Sequence, residues 1–88
     1  MSELFQIIYH PDLEKRDFPH LAPEILKRIL KAIDTKLVHF PQEFGEPLRR
    51  TFKGYWKLRV GDYRVIYKIT GKTILVLRIG HRRNVYEQ

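Results

Sequence analysis

The stretch GYWKLRVGDYRVIYKI, residues 54–69, narrows the possible folds more than any other part of the chain. Apolar and polar side chains alternate on both sides of Gly61-Asp62, a pair typical of a tight turn. Successive side chains of a strand point to opposite faces, so each strand has one apolar face and one basic face. The pattern predicts a β-hairpin that packs on a core with one face and presents cations on the other.

The first half of the sequence predicts one strand and two helices. LFQIIY, residues 4–9, is a short apolar run rich in β-branched and aromatic side chains, which predicts a strand. Residues 11–18 predict a short helix. Apolar residues at three- and four-residue spacing within 21–40 predict a longer amphipathic helix, with Pro23 at its first position and Pro41 after its end.

The second half predicts a loop followed by a three-stranded meander. Residues 41–47 contain two prolines and a glycine and predict the loop, and three strands follow within 48–60, 63–69 and 73–79. Gly80 is expected to end the last of these strands. The order predicts a single α+β domain over residues 1–88, with two N-terminal-half helices on one face of a small, mainly antiparallel sheet.

Charge is distributed unevenly along the chain. The formal net charge is +7, and residues 1–48 carry six basic and eight acidic side chains, a net of −2. Residues 49–88 carry eleven basic and two acidic side chains, a net of +9. Such asymmetry indicates a polyanionic ligand. A solvated basic surface, or one covered by an acidic protein, gives the same pattern.

Several classes of function are disfavoured by composition. The chain has no cysteine, which excludes disulfides and thiolate metal sites and favours a reducing compartment. Its apolar runs are too short for a membrane span, so we expect a cytosolic protein without membrane contact. The basic half has carboxylates only at Asp62, in a turn, and at Glu87, near the terminus. We therefore expect no metal site and no cofactor.

The basic side chains suit RNA cleavage without a metal. RNA supplies its own nucleophile, the 2′-hydroxyl, and needs a base, an acid and cations against the developing phosphoryl charge. The predicted hairpin and the tail HRRNVY supply basic and aromatic side chains for these tasks: Lys57, Arg59, Arg64, His81, Arg82, Arg83 and Tyr86. Each has an ordinary structural alternative as well, such as a solvated strand position, an ion pair or a surface histidine.

The segment PLRRTFKGYWKLRVGDYRVIYKI, followed by ILVLRIGHRRNVY, resembles the RelE/ParE superfamily, the toxins of bacterial type II toxin–antitoxin modules. The order of elements and the length are similar too, so the resemblance covers nearly the whole chain. Within the superfamily, RVGDYR and GHRRNVY are more similar to RelE than to ParE.

The resemblance implies a ribosome-dependent mRNA endonuclease that cuts A-site codons by 2′-hydroxyl attack without a metal. By position in the RelE pattern, Lys57 acts as base or stabilises the transition state, and Arg64 and Arg82 hold the scissile phosphate. Tyr86 stacks on or orients the nucleotide, and His81 is a candidate acid.

One position departs from the RelE pattern. RelE has a second lysine two residues before the position of Lys57, where this chain has Tyr55. Lys53 or Arg59 would have to compensate for the missing lysine. The expected RNA-binding residues are Lys53, Tyr55, Arg59 and Arg83. Two alternatives stay open: a ParE-like inhibitor of DNA gyrase, and a toxin relic that binds without cutting.

The family also implies partners. These are the ribosome with its mRNA and a cognate antitoxin whose acidic helical segment would meet the basic half. The chain has no DNA-reading motif, so we expect no direct sequence-specific DNA binding.

Overall fold

A computed structural model of the chain describes residues 4–48 and 54–85. It contains strands β1 (Gln6–Tyr9), β2 (Glu46–Pro47), β3 (Tyr55–Val60), β4 (Tyr63–Thr70) and β5 (Thr73–His81). They form one sheet in the order β1-β5-β4-β3-β2, in which β1 runs parallel to β5 and the other pairs are antiparallel. The predicted hairpin and the three-stranded meander are confirmed.

The helical segments lie between β1 and β2. Helix α1 (Pro23–Ala32) begins at the predicted proline and continues as a π-helical turn, Ile33–Leu37. A π-helical turn, Leu13–Asp17, and a 3₁₀ turn, Phe18–His20, precede it, and the short helix α2 (Pro41–Phe44) follows it. None of the helices in residues 4–48 and 54–85 has the length and apolar character needed to cross a bilayer.

One hydrophobic core joins the helices to one face of the sheet. Its fully buried side chains are Leu13, Ile29, Ile33 and Leu37 from the helical segments, and Val65, Tyr67, Ile74 and Val76 from the strands. Burying an aliphatic side chain of this size stabilises the fold by roughly 1.5–3 kcal/mol. This packing confirms the predicted α+β architecture and leaves the other face of the sheet outside the core.

Residues 41–47, predicted as a loop, instead form α2 and β2. The buried hydroxyl of Tyr67 donates a 2.6 Å hydrogen bond to the carbonyl oxygen of Pro41, which fixes the start of α2. Gly45 packs directly against the same hydroxyl, where a Cβ would have no room. These contacts place Glu46 beside β3, and the two-residue strand was missed because its pairing comes from tertiary contacts rather than local pattern.

Strand β5 continues through Gly80 to His81, so the prediction that Gly80 ends the strand was wrong. The pairing of β4 with β5 shifts by one residue at Leu77: Tyr67 is opposite Val76, and Ile66 is opposite Arg78. Such a β-bulge reverses the alternation of side chains after it. Ile79 is therefore buried on the core side, and Gly80 lies on the opposite side.

Side chains close the edge of β5 where β1 ends. The last residue pair between these strands is Tyr9 with Val76. Beyond it, the buried carboxylate of Asp17 accepts a 2.8 Å hydrogen bond from the backbone N–H of Ile79, and Arg16 donates a 2.7 Å hydrogen bond to the carbonyl oxygen of Leu77. Two side chains thus replace the missing backbone partner along this edge.

Candidate functional site

The face of the sheet opposite the core carries a cluster of basic side chains. We refer to the strand residues Lys57, Arg59, Arg64 and Lys68 on this side as the cation face. Arg59 on β3 is paired directly with Arg64 on β4. Like charges directly opposite one another on a sheet destabilise it. A negative group beside this pair is therefore electrostatically favourable.

Glu46 on β2 is a carboxylate that the sequence reasoning missed. It pairs with Lys57 in register, and its Oε1 lies 3.7 Å from Nζ of Lys57 and 3.6 Å from an Nη of Arg59. Among the strand residues that the structure describes, it is the single acidic side chain on this face. Glu46 was overlooked because it lies outside the basic half, in residues that were predicted to form a loop but contain the strand β2.

The guanidinium of Arg64 is held by its own turn. Its Nη1 donates hydrogen bonds of 2.9 Å to the carbonyl oxygens of Gly61 and Tyr63. The structure therefore places Lys57, Arg59 and Arg64 together on the cation face, as predicted, and fixes the last of them near the β3–β4 turn. A fixed guanidinium loses less conformational entropy when it binds a phosphate.

Tyr55 also lies on the cation face, opposite Lys68. The Nζ of Lys68 is 5.8 Å from the centroid of the Tyr55 ring, a weak cation–π contact for an exposed lysine. Lys68 thus places a cation beside Tyr55, the position at which the resemblance implies a lysine. Sequence alternation already assigned Lys68 to the basic face, and only the strand register brings it next to Tyr55.

The tail after β5 folds back across the end of the sheet. The backbone N–H of Arg82 donates a 2.8 Å hydrogen bond to the carbonyl oxygen of Asp62, which ties the tail to the β3–β4 turn. Arg82 and Arg83 are exposed. Val85 is buried against Gly80, and its Cβ lies 3.8 Å from the position that a Cβ of residue 80 would occupy. The tail therefore packs on the same side of the sheet as the cation face.

His81 is not brought together with Lys57. It is paired with Tyr63, and the two rings meet edge to face with centroids 5.5 Å apart. Tyr63 alternates with the core residue Val65, so the imidazole of His81 lies on the helix side of the sheet. The bulge at Leu77 causes this placement, because an unbroken alternation from Ile74 would put His81 on the cation face.

Two of the predicted site residues, Lys53 and Tyr86, lie outside the described residues. In the part of the chain that is described, no three histidine or acidic side chains are grouped as metal ligands. The arrangement on the cation face can bind a phosphate diester between Lys57, Arg59 and Arg64, and it places the carboxylate of Glu46 at the side of that phosphate.

Comparison with known proteins identifies the family. The family model described as the ParE toxin of type II toxin–antitoxin systems, parDE, matches residues 7–86. Toxin RelG of Mycobacterium tuberculosis is 34% identical over 76 residues, which cover 84% of this chain and 87% of RelG.

Solved structures give the same family. A chain of the toxin–antitoxin complex RelBE2 from Mycobacterium tuberculosis has a TM-score of 0.82 and 30% identity, with 92% of this chain and 94% of that chain covered. A chain of the archaeal RelE–RelB complex from Pyrococcus horikoshii has a TM-score of 0.70 and 26% identity, with 93% and 99% covered. The chain therefore belongs to the RelE/ParE superfamily of toxins of type II toxin–antitoxin systems.

Proposed function

We propose that this toxin is a ribosome-dependent mRNA endonuclease that cuts A-site codons by attack of the 2′-hydroxyl, without a metal. The observation that carries the proposal is the cation face, where Arg59 stands directly opposite Arg64 and Lys57 lies on the same side. A bound phosphate diester relieves the repulsion between the two guanidinium groups. It also receives charge-assisted hydrogen bonds from them.

In this mechanism Glu46 removes the proton from the 2′-hydroxyl. A carboxylate oxygen accepts a proton directly, whereas a lysine ammonium is only a donor and has to lose its own proton first. Glu46 is 52% exposed, so an RNA strand has access to it. Lys57, 3.7 Å from Glu46, then stabilises the charge that builds on the phosphoryl oxygens instead of acting as the base.

The other predicted roles follow the resemblance. Arg64 and Arg82 hold the scissile phosphate, Tyr86 stacks on the nucleotide, and the acid role of His81 stays a prediction. Arg59 shares the RNA phosphate held by Arg64, Lys53 and Arg83 bind flanking phosphates, and Lys68 joins them beside Tyr55. Relatives solved as complexes of RelB and RelE support an antitoxin partner for this chain as well. The +9 half would attract an acidic antitoxin electrostatically.

The test is primer extension on a defined mRNA with a stalled ribosome, after addition of the purified toxin. The expected result is cuts confined to the A-site codon that are absent without ribosomes. Cuts in free RNA, or cuts at codons outside the A site, would contradict ribosome dependence. If no cuts were seen, the nuclease proposal would be wrong and a toxin relic that binds without cutting would be favoured. Tyr55 in place of a lysine would then be the sequence feature that explains the lost activity.

A second candidate function is inhibition of DNA gyrase, which needs binding but no acid or base. It is favoured by the description of the matched family model, a ParE toxin. A supercoiling assay with purified gyrase distinguishes the two. Inhibited supercoiling together with intact ribosome-bound mRNA would support this candidate instead of the nuclease.

A further inference from the structure

A cavity of about 310 Å³ lies at the edge of β5, where β1 has ended. This cavity, the edge notch, is lined by polar side chains from the turns before α1, from β5 and from the tail: Arg16, Asp17, His20, Arg78, His81 and Asn84. Its volume is at the lower end of the range of small-ligand pockets. None of the four cation-face residues lines the edge notch, but Arg78 lies on the same side of the sheet, because it pairs with Ile66, which pairs with Lys57.

The edge notch presents a guanidinium with free donor groups. Both carboxylate oxygens of Asp17 are engaged: Oδ1 accepts from Nε of Arg16, and Oδ2 accepts from Ile79 N–H and from Nε of Arg78. Arg78 donates a side-chain hydrogen bond through its Nε, and within the described residues its two Nη groups have no protein partner. Its side chain is only 20% exposed. A partly buried guanidinium anchored at one end is suited to an anion at the other.

Rings and apolar side chains form the rest of the cavity wall. The imidazole of His81 is held by the backbone N–H of Arg83, which donates a 3.2 Å hydrogen bond to its Nδ1, and by the ring of Tyr63. Leu21 and Val85 line the same cavity. Flat rings beside aliphatic groups accept a nucleobase, whereas a glutamate or aspartate side chain would leave this surface unused.

We propose that the edge notch binds one nucleotide of single-stranded RNA, with the phosphate on Arg78 and His20 and the base against Tyr63, His81 and Leu21. This inference rests on the proposed function, because it extends the RNA site from the cation face. Neighbouring strands lie about 4.8 Å apart, so β3 and β5 are separated by about 10 Å. A nucleotide in the edge notch is therefore within a few nucleotides of the one on Lys57.

The experiment is a titration of ¹⁵N-labelled toxin, followed by amide chemical shifts, with three separate probes. The probes are a seven-nucleotide oligoadenylate RNA, inorganic phosphate and a hexaglutamate peptide. The RNA is expected to shift the amides of His20, Gly80, His81 and Asn84 and to bind more tightly than phosphate. Equal affinity for RNA and phosphate would contradict a nucleotide site, and shifts of these amides by hexaglutamate but not by RNA would assign the edge notch to an acidic protein.

Two variants make the titration specific. His20→Glu places a negative charge at the cavity without disturbing the core, because His20 is exposed, and is expected to weaken RNA binding at the edge notch about fivefold. His39→Glu makes the same change at another exposed histidine outside the cavity and is expected to leave that affinity unchanged. Arg78→Lys keeps the positive charge beside Asp17 but removes the forked donor groups of the guanidinium. We expect the affinity for RNA at the edge notch to fall about tenfold.

Equal RNA affinities for the wild type and for both His20→Glu and Arg78→Lys would overturn the proposal. RNA shifts confined to β3 and β4 would overturn it as well. These failures are separate from a failure of the proposed function. If the toxin cuts A-site codons but RNA shifts no amides at the edge notch, only the proposal of a nucleotide site in the edge notch is refuted. RNA binding at the edge notch in a toxin that cuts no mRNA refutes the nuclease alone.

Discussion

The hydroxyl of Tyr67, in the middle of β4, donates a 2.6 Å hydrogen bond to the carbonyl oxygen of Pro41 at the start of α2. Both residues are buried. Tyr67→Phe leaves that carbonyl without its partner, so we expect the free energy of unfolding to fall by about 1–2 kcal/mol. Urea denaturation followed by circular dichroism measures it. Tyr63→Phe is the matched control, since no hydrogen bond of the Tyr63 hydroxyl is seen within the described residues. An equal loss in both variants would contradict the role of the Pro41 contact.

Alkaline pH provides a second test of the same contact. Burial raises the pKa of Tyr67 well above its usual value of 10.0. The unfolded chain therefore releases the proton first, and the stability that neutral Tyr67 contributes is complete below pH 10 and is lost as the pH rises above it. The loss approaches about 1.4 kcal/mol per pH unit.

The difference in unfolding free energy between wild type and Tyr67→Phe should therefore shrink between pH 10 and pH 11. Urea denaturation of both proteins at pH 8, 10 and 11 gives this difference directly. Burial also raises the pKa of Tyr9, with a smaller contribution from Asp34, but Tyr9 is present in both proteins and its effect cancels. A constant difference across this range would show that the Tyr67 hydroxyl ionises equally in both states.

Asp17 is the buried acidic residue that closes the edge of β5. Asp17→Asn removes the negative charge that holds Arg16 and Arg78, so we expect a loss of about 2–3 kcal/mol in the free energy of unfolding. The expected loss in the free energy of unfolding is smaller than for a fully buried ion pair, because the side chain of Arg16 is 41% exposed. Thermal and urea denaturation measure the loss, with the exposed Asp12→Asn as control. A change below 0.5 kcal/mol, the usual size for surface sites, would contradict the role of Asp17.

Glu46→Gln tests the proposed base. It keeps the size of the side chain and removes its ability to take up a proton, so ribosome-dependent cleavage is expected to fall by about 10²-fold or more. Glu43→Gln changes an exposed glutamate of α2 that forms no ion pair within residues 4–48 and 54–85, and it should cleave like the wild type. Single-turnover primer extension measures both rates. Full activity of Glu46→Gln would return the role of base to Lys57.

Arg64→Ala and Arg82→Ala test the phosphate site. Each is expected to abolish growth arrest on expression while the protein stays folded, because a charge-assisted contact to the scissile phosphate is lost. Lys31→Ala removes one positive charge from an exposed position of α1 and serves as the control that should still arrest growth. Growth curves, with circular dichroism of the purified variants, separate loss of activity from loss of fold. Full toxicity of both variants would mean that the phosphate is held elsewhere.

Most of the fold was predictable because its elements are encoded locally. The alternation on both sides of Gly61-Asp62 gave β3 and β4, and the apolar spacing within residues 21–40 gave α1. Lys57, Arg59 and Arg64 were correctly grouped because they alternate within a single hairpin.

Features that depend on distant contacts were not predictable. The strand β2 exists because Tyr67 anchors Pro41 and Gly45 fits against its hydroxyl, and neither contact leaves a local pattern. Glu46 was overlooked for the same reason. The placement of His81 depends on the bulge at Leu77, which only the pairing of β4 with β5 determines.

The bulge at Leu77 makes the length of β5 tolerant at one point. Deleting Leu77 would join Val76 directly to Arg78 and keep Arg78 opposite Ile66, so the bulge would disappear while Ile79 stayed in the core and His81 stayed on the helix side. Deleting a residue from a regular part of a strand instead moves every following side chain to the opposite side of the sheet. Loss of one codon at Leu77 is therefore expected to be better tolerated than loss of one codon elsewhere in the paired part of β5.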